Sequence, residues 1–241
     1  MAGLIQWRSV VIYAQQLRLL LKKLAQHIPQ LCLVCHQPSM TLLCKCCQDD
    51  IVLMDLNACD YHLLNVPRIA SALPGMSCER LIAIANYQQP LKSMLLALKF
   101  NRQLVNAKAL ADLFCKAIDS ADDILPEAIV PVPLHHKRYK QRHYNQAREV
   151  ARYVAEYFEL ALDDTFCKRV KYTQAQTELS GGQRRKNLKN AFEVVANKTY
   201  QHIAIFDDII TTGSTVNELK RTIQRQYPQM RIDIWCVCIS L

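Results

Sequence analysis

The stretch HIAIFDDIITTGSTVNELK, residues 202–220, constrains the fold more than any other part of the chain. Its apolar run predicts a buried strand over residues 203–206 that ends at Asp207 and Asp208, after which Ile209 and Ile210 lead into TTGST and a helix from about Val216. A strand apolar on both faces has to be covered from both sides, as helices cover a parallel sheet. The surrounding sequence repeats the theme. AIVPVPL at 128–134 predicts a short strand, NQAREVARYVAEYFEL from Asn145 an amphipathic helix, and RIDIWCVCISL a final strand. Upstream, LIAIANYQQPLKSMLLALKFNRQLVNAKALADLFCKAI predicts a strand followed by long helical periodicity, and a further core strand is expected around 166–170. Strand and helix alternating at these lengths predict an α/β fold, a mostly parallel sheet flanked by helices.

The turn after the acids has the chemistry of an anion cradle. A loop that feeds a helix N-terminus at the C-terminal edge of such a sheet is the usual seat of a phosphate. Backbone N–H groups of residues 211–215 can curl around an anion, Gly213 supplies the backbone freedom, and Thr211, Thr212, Ser214 and Thr215 add hydroxyls. Two acids do not suit a phosphate, so Asp207 and Asp208 need another partner. Vicinal ribose hydroxyls fit, because carboxylates accept from both. Phosphate in the turn and sugar diol on the acids together describe a 5-phosphoribosyl group.

Five of the eleven cysteines lie between Cys32 and Cys47. Cys32 and Cys35 are two residues apart, as are Cys44 and Cys47, which places four thiolates around one tetrahedral centre suited to structural Zn²⁺. Cys46 and His36 stand close enough to compete as ligands. The scattered cysteines (Cys59, Cys78, Cys115, Cys167, Cys236, Cys238) read as reduced core residues of a cytoplasmic protein.

Hydrophobic residues make up 51% and charged residues 21%, a composition that argues against disorder. The net charge of +9 is concentrated: residues 137–189 hold 13 Lys or Arg against 6 Asp or Glu, which favours polyanionic ligands. Leu17, Leu20, Leu21, Leu24 and Ile28 predict an N-terminal amphipathic helix, interrupted by too many charges to span a bilayer. The expected organisation is that helix over 1–30, a four-cysteine zinc-binding domain over 31–60, and the α/β domain over 61–241.

IAIFDDIITTGST resembles the phosphoribosyl pyrophosphate (PRPP) binding motif of type I phosphoribosyltransferases. Together with the paired cysteines, NYQQPLKSMLLALKF, VPVPLHHKR, RHYNQA and TQAQTELSGGQRRKNLKNAF, it resembles the competence protein F (ComF) family, in order from Cys32 nearly to the C-terminus. Members often carry Gly-Phe before Asn-Gln, where this chain has His143 and Tyr144. The resemblance implies a type I phosphoribosyltransferase-like fold that binds PRPP with Mg²⁺. It implies that LHHKR, with Lys137 and Arg138, is the pyrophosphate loop, and that Asp207 and Asp208 fix the ribose. Gln176, Arg184, Arg185 and Asn187 would belong to a mobile loop that closes over the substrate.

Two functions follow from that resemblance. One is transfer of a phosphoribosyl group to an unidentified acceptor, with Lys137, Arg138, Asp207 and Asp208 as the catalytic residues. Residue 2 is Ala, so the amino-terminal cysteine that releases ammonia from glutamine is absent. The other is binding of single-stranded DNA in natural transformation, through Arg142, Tyr144, Arg184, Arg185 and Lys186, alongside competence proteins such as a helicase or translocase.

Overall fold

The computed structural model describes residues 29–119, 125–171, 188–195 and 198–240. Residues 1–28 of the expected N-terminal helix lie outside the described residues, as do Tyr172, Gln176, Gly181, Gly182, Arg184, Arg185, Lys186 and Asn187. The chain divides into two compact units, Met1–Asp50 and Ile51–Leu241.

In the first unit, β1 (Gln30–Leu31) pairs antiparallel with β2 (Pro38–Ser39), and α1 (Lys45–Asp49) follows. His36 adopts a left-handed backbone (φ 57°) and closes the turn between the strands, its N–H donating to the Cys32 carbonyl at 3.0 Å. Residues 51–60, expected with the cysteines, belong to the larger unit. There Met54 N–H donates to Ile84 O at 2.8 Å and Leu53 bridges Ala85.

The second unit is built on five parallel strands in the order β3 (Leu81–Asn86), β9 (Arg231–Ile239), β8 (His202–Ile210), β4 (Ala128–Pro131) and β5 (Ala161–Leu162). After α2 (Pro67–Ala72), helices α3 (Leu91–Phe100) and α4 (Val105–Ile118) link β3 to β4; α5 (His136–Arg142) and α6 (Gln146–Tyr157) link β4 to β5; and α7 (Ser214–Gln226) links β8 to β9. Helix α3 forms because Leu91, Met94, Leu95 and Leu98 recur at helical spacing and bury one stripe, leaving Leu96 and Phe100 exposed. The centre of the core is aromatic. Phe114 of α4 packs on Phe206 and Trp235 at ring-centroid distances of 5.4 and 5.5 Å, all three fully buried, so truncating Phe206 to Ala would cost about 3–5 kcal/mol.

The α/β architecture expected from the sequence is therefore present, with three local differences. Strand β8 continues through both acids to Ile210, because Ile209 and Ile210 find ladder partners in Cys238 and Ile239. The helix after it begins at Ser214, earlier than Val216. The segment expected as a core strand near 166–170 is outside the sheet: β6 (Cys167–Arg169) pairs antiparallel with β7 (Phe192–Val194) as a separate hairpin. Asp163 makes that break. Its buried carboxylate accepts from Thr165 N and Oγ1, Lys198 Nζ and Tyr200 Oη at 2.8–3.2 Å, turning the chain out of β5. No helix among the described residues is long and apolar enough to cross a membrane.

Candidate functional site

The sheet order contains a switch point. From β4 the chain moves outward to β5, whereas from β8 it moves the other way to β9, so a crevice opens at the C-terminal ends of β4 and β8. Open α/β sheets bind ligands at that position.

Asp207 and Asp208 lie on this edge. Asp208 is buried, its Oδ2 3.2 Å from Lys99 Nζ in the last turn of α3, and its backbone N–H donates to Asp207 Oδ1 at 2.9 Å. Burial, and then the neighbouring Asp208, push the Asp207 carboxyl well above the ordinary range, while Lys99 works in the opposite direction. A second negative charge is therefore costly at this edge, and a ligand offering hydroxyl donors or a cation would relieve that cost.

The turn that follows is short. Gly213 caps α7 with φ +67°, a conformation that selects glycine, whereas the Met76 methyl 2.3 Å from a Cβ there is the end of a flexible side chain that can move aside. The first intrahelical bond runs from Asn217 N to Gly213 O at 2.9 Å, which leaves the backbone N–H groups of Ser214, Thr215 and Val216 at the positive end of the helix. Thr212 Oγ1 and Ser214 Oγ are 2.9 Å apart and, with the exposed Thr211, ring that opening with hydroxyls.

The basic segment after β4 is helical rather than a loop. Prolines 131 and 133 remove ladder donors and end β4, and His135 caps α5 by accepting from Lys137 N at 3.3 Å. Lys137 and Arg138 thus occupy the first turn of α5. Burial, then the neighbouring His136, Arg169, Lys137 and Arg138, lower the His135 imidazole. Asn145 ties the segment down, Nδ2 donating to Val132 O at 2.9 Å. His143 takes the left-handed conformation (φ 67°) that glycine adopts most readily, its N–H donating to Tyr139 O.

Two basic residues complete the surroundings of the acids. Arg142 of α5 is half-buried; burial lowers it and the charge of Asp208 supports it. Its guanidinium carbon lies 5.4 Å from the Phe100 ring centroid. Arg169, at the end of β6, is lowered to about 10 by burial and then by Arg138, with Asp207 opposing. Arg169 was not among the residues singled out in the sequence, because nothing local marks a Lys-Arg pair at the end of a strand as facing acids far downstream. Arg138 and Arg169, drawn close to each other, suit a multiply charged anion. Tyr144 is buried with its hydroxyl donating to Leu98 O, so it packs the site and presents no face for stacking. A neighbouring cleft of about 680 Å³ includes Tyr139, Lys140, Arg148, Lys168 and Arg169 but neither acid.

The cysteine centre is a separate construction in the first unit. The sulfurs of Cys32, Cys35, Cys44 and Cys47 all lie within 4.8 Å of one another, and those of Cys35 and Cys44 are 3.7 Å apart. Four thiolates at about 2.3 Å from a tetrahedral Zn²⁺ would be about 3.8 Å apart, so the cluster could hold that ion. Burial opposes ionisation of Cys32, but backbone hydrogen bonds from Cys35, Cys44 and Val34 outweigh it and bring the thiol to about 6. Cys46 is exposed and, like His36, falls outside the four-sulfur set. Of the scattered cysteines, Cys59, Cys115, Cys167, Cys236 and Cys238 are buried and none of the eleven is in a disulfide.

No family model matches the chain. It is 37% identical over 166 residues to competence protein F of Haemophilus influenzae, covering 66% of this chain and 72% of that protein. The chain belongs to the competence protein F family. Other relatives extend further along it. The DNA utilization protein YhgH of Salmonella typhimurium is 32% identical over 228 residues, and that of Escherichia coli strain K12 is 31% identical over 229, each covering 89% of this ComF-family chain and 99% of the relative. The aligned region is long enough to include the sheet edge with both acids.

Proposed function

We propose that this ComF-family chain binds PRPP with Mg²⁺ at the C-terminal edge of β8 and serves the handling of single-stranded DNA in natural transformation, in the bacterial cytoplasm. The observation that carries the reading is the acid pair on β8, one member matched by Lys99, with a glycine-capped helix N-terminus following at Gly213. The relatives' names, competence protein F and DNA utilization protein, support the cellular role.

In this reading the N–H groups and hydroxyls of residues 211–215 hold the 5-phosphate, and Asp207 and Asp208 accept from the ribose 2- and 3-hydroxyls. Lys137 and Arg138 in the first turn of α5, joined by Arg169, stabilise the negative charge that builds on departing pyrophosphate. They bind the transition state more tightly than the ground state. Carboxylate oxygens are suitable hard donors for Mg²⁺, which when bound supplies further charge neutralisation at the pyrophosphate. Zinc on Cys32, Cys35, Cys44 and Cys47 leaves no ligand position for water, so its role is structural. Loop residues Gln176, Arg184, Arg185 and Asn187 are assigned to closure over the substrate.

The experiment is calorimetric titration with PRPP and Mg²⁺ of the native chain and of the Asp207→Asn, Asp208→Asn double variant. Binding that disappears in the folded variant supports the reading, and unchanged affinity refutes it. A second reading, a single-stranded DNA binder or PRPP sensor without turnover, is favoured by the cleft that sets exposed Tyr139 among Lys140, Arg148 and Lys168. Following pyrophosphate release with and without single-stranded DNA separates the two. A helicase or translocase is the class of partner protein expected for the DNA-handling role.

A further inference from the structure

Helix α7 buries Val216, Leu219 and Ile223, and with them Glu218, which is only 8% exposed. A carboxylate on an apolar stripe is costly unless it is partnered. The Glu218 Oε1 accepts from the backbone N–H of Asn190 at 2.7 Å. Two turns further along the same helix, Arg225 Nη1 donates to Asn190 Oδ1 at 3.3 Å. Asn190 has a left-handed backbone (φ 57°) and lies in a short turn between buried Leu188 and Ala191, so α7 grips that turn through both backbone and side chain. The turn is also the foot of the hairpin that carries Arg169. Val170 N–H donates to Ala191 O at 2.8 Å, Arg169 pairs with Phe192, and the Arg169 guanidinium carbon lies 5.4 Å from the Phe192 ring centroid. Strands β6 and β7 pair with each other and not with the five-stranded sheet, so no sheet ladder sets where Arg169 stands. Yet Arg169 lines one cleft with Pro131 and Pro133 at the end of β4; burial and then Arg138 lower its guanidinium, which Asp207 supports.

We infer that Glu218 is a positioning residue: by gripping Asn190 it fixes the Arg169 guanidinium relative to the glycine turn of α7, so that the turn holds a ligand's 5-phosphate while Arg169 meets its pyrophosphate. The inference rests on the PRPP reading and deepens it. It divides the site into two halves. The acids and the turn of residues 207–215 are continuous in sequence, whereas Arg169 is brought to them by one buried carboxylate on the helix that follows the turn. A ligand that lacks the pyrophosphate engages only the first half, so its binding does not depend on Glu218.

The test uses the full chain with Mg²⁺ and calorimetric titration, with PRPP in one arm and ribose 5-phosphate in the other. Glu218→Met fills the same space without an acceptor, and Glu218→Gln keeps an acceptor oxygen. Glu218→Met is expected to weaken PRPP about 2- to 12-fold, the range for one hydrogen bond, and to leave ribose 5-phosphate within about twofold. Removing a negative charge would by itself strengthen the binding of a polyanion, so weaker binding reports position. Glu218→Gln should restore the native PRPP affinity. Combined with Arg169→Ala, Glu218→Met should cost nothing further, because a positioning residue acts through the group it holds. Asn190→Gly suits the left-handed backbone of an exposed residue and removes only the Arg225 contact; it should weaken PRPP in the same sense and spare ribose 5-phosphate. Additive losses in the double variant, equal losses for the two ligands, or native PRPP affinity in Glu218→Met would each overturn the inference. The Arg169 Nε–H resonance of the ligand-free chain gives a readout independent of PRPP, and it should shift in Glu218→Met but not in Glu218→Gln. If the native chain binds no PRPP, the reading on which the inference rests is removed; an unmoved Nε–H resonance in Glu218→Met removes the inference itself.

Discussion

Lys99 is the residue on which the charge balance of the site turns, and Lys99→Met is the perturbation that exposes it. Its ammonium is 3.2 Å from Asp208, with side chains 27% and 11% exposed respectively. At that separation and an effective dielectric near 20 the gross attraction is about 5 kcal/mol. The partial exposure of Lys99 and the desolvation relieved by its removal reduce the net effect to about 1–2 kcal/mol, or roughly 5- to 30-fold in an affinity that depends on the acids. The sign in pH follows from Asp207, raised by burial and by Asp208 and lowered by Lys99. Ribose hydroxyls need an ionised acceptor, so PRPP affinity should rise with pH as Asp207 loses its proton, above the ordinary carboxylate range. Without Lys99 that rise should begin at higher pH, and the deficit should be largest on the acid side. Calorimetry with PRPP and Mg²⁺ across pH, on native, Lys99→Met and Lys99→Arg chains, measures this directly. Arg keeps the charge and should keep the profile. A Lys99→Met chain that melts normally and shows the native affinity and pH midpoint would refute the argument.

The other expectations are simpler. Asp207→Asn should stabilise the ligand-free fold at pH 7, because an acid raised by burial destabilises the fold once pH exceeds the unfolded value near 4. Thermal melting should show that gain shrinking toward pH 4, and a pH-independent difference would count against it. Cys47→Ser should lose the bound zinc, while Cys46→Ser should keep one zinc per chain by metal analysis; equal retention in both would dismiss the four-sulfur set. His143→Gly should raise the melting temperature through relief of about 1 kcal/mol of left-handed strain at φ 67°, since the backbone bond to Tyr139 is kept, and an unchanged or lower value would mean that the freedom glycine adds to the unfolded chain offsets the gain.

What could be read from the sequence was local and periodic. The apolar strands, the amphipathic α6, the paired cysteines and the glycine turn each announce themselves within about ten residues, because each satisfies its own propensity or spacing. The differences arose where a distant partner decided the outcome. Ile209 and Ile210 looked like the start of a loop, yet Cys238 and Ile239 offer them a ladder, so β8 carries its acids inside the strand. Residues 167–169 have strand composition, but the Asp163 turn directs them to pair with Phe192–Val194 instead of the sheet. LHHKR carries no apolar periodicity of its own, and its helix rests on the His135 cap and on the Asn145 anchor to Val132.

The site itself shows the same division in sharper form. Both acids and the glycine turn of the proposed site occupy nine consecutive residues, so they stand together in the sequence. Their counter-charges are not in that stretch. Lys99 ends a helix, where a lysine already has a local explanation in the helix dipole, so its link to Asp208 is invisible until the chain is folded. Arg142 and Arg169 likewise feel Asp208 and Asp207 from the ends of α5 and β6. Asp207 is raised by burial and by Asp208 even with Lys99 in place, and a protonated acid is a poor acceptor for a sugar diol. Within the proposed site the motif supplies the acceptors, while Lys99, from a distant helix, opposes the rise that burial and Asp208 impose on Asp207.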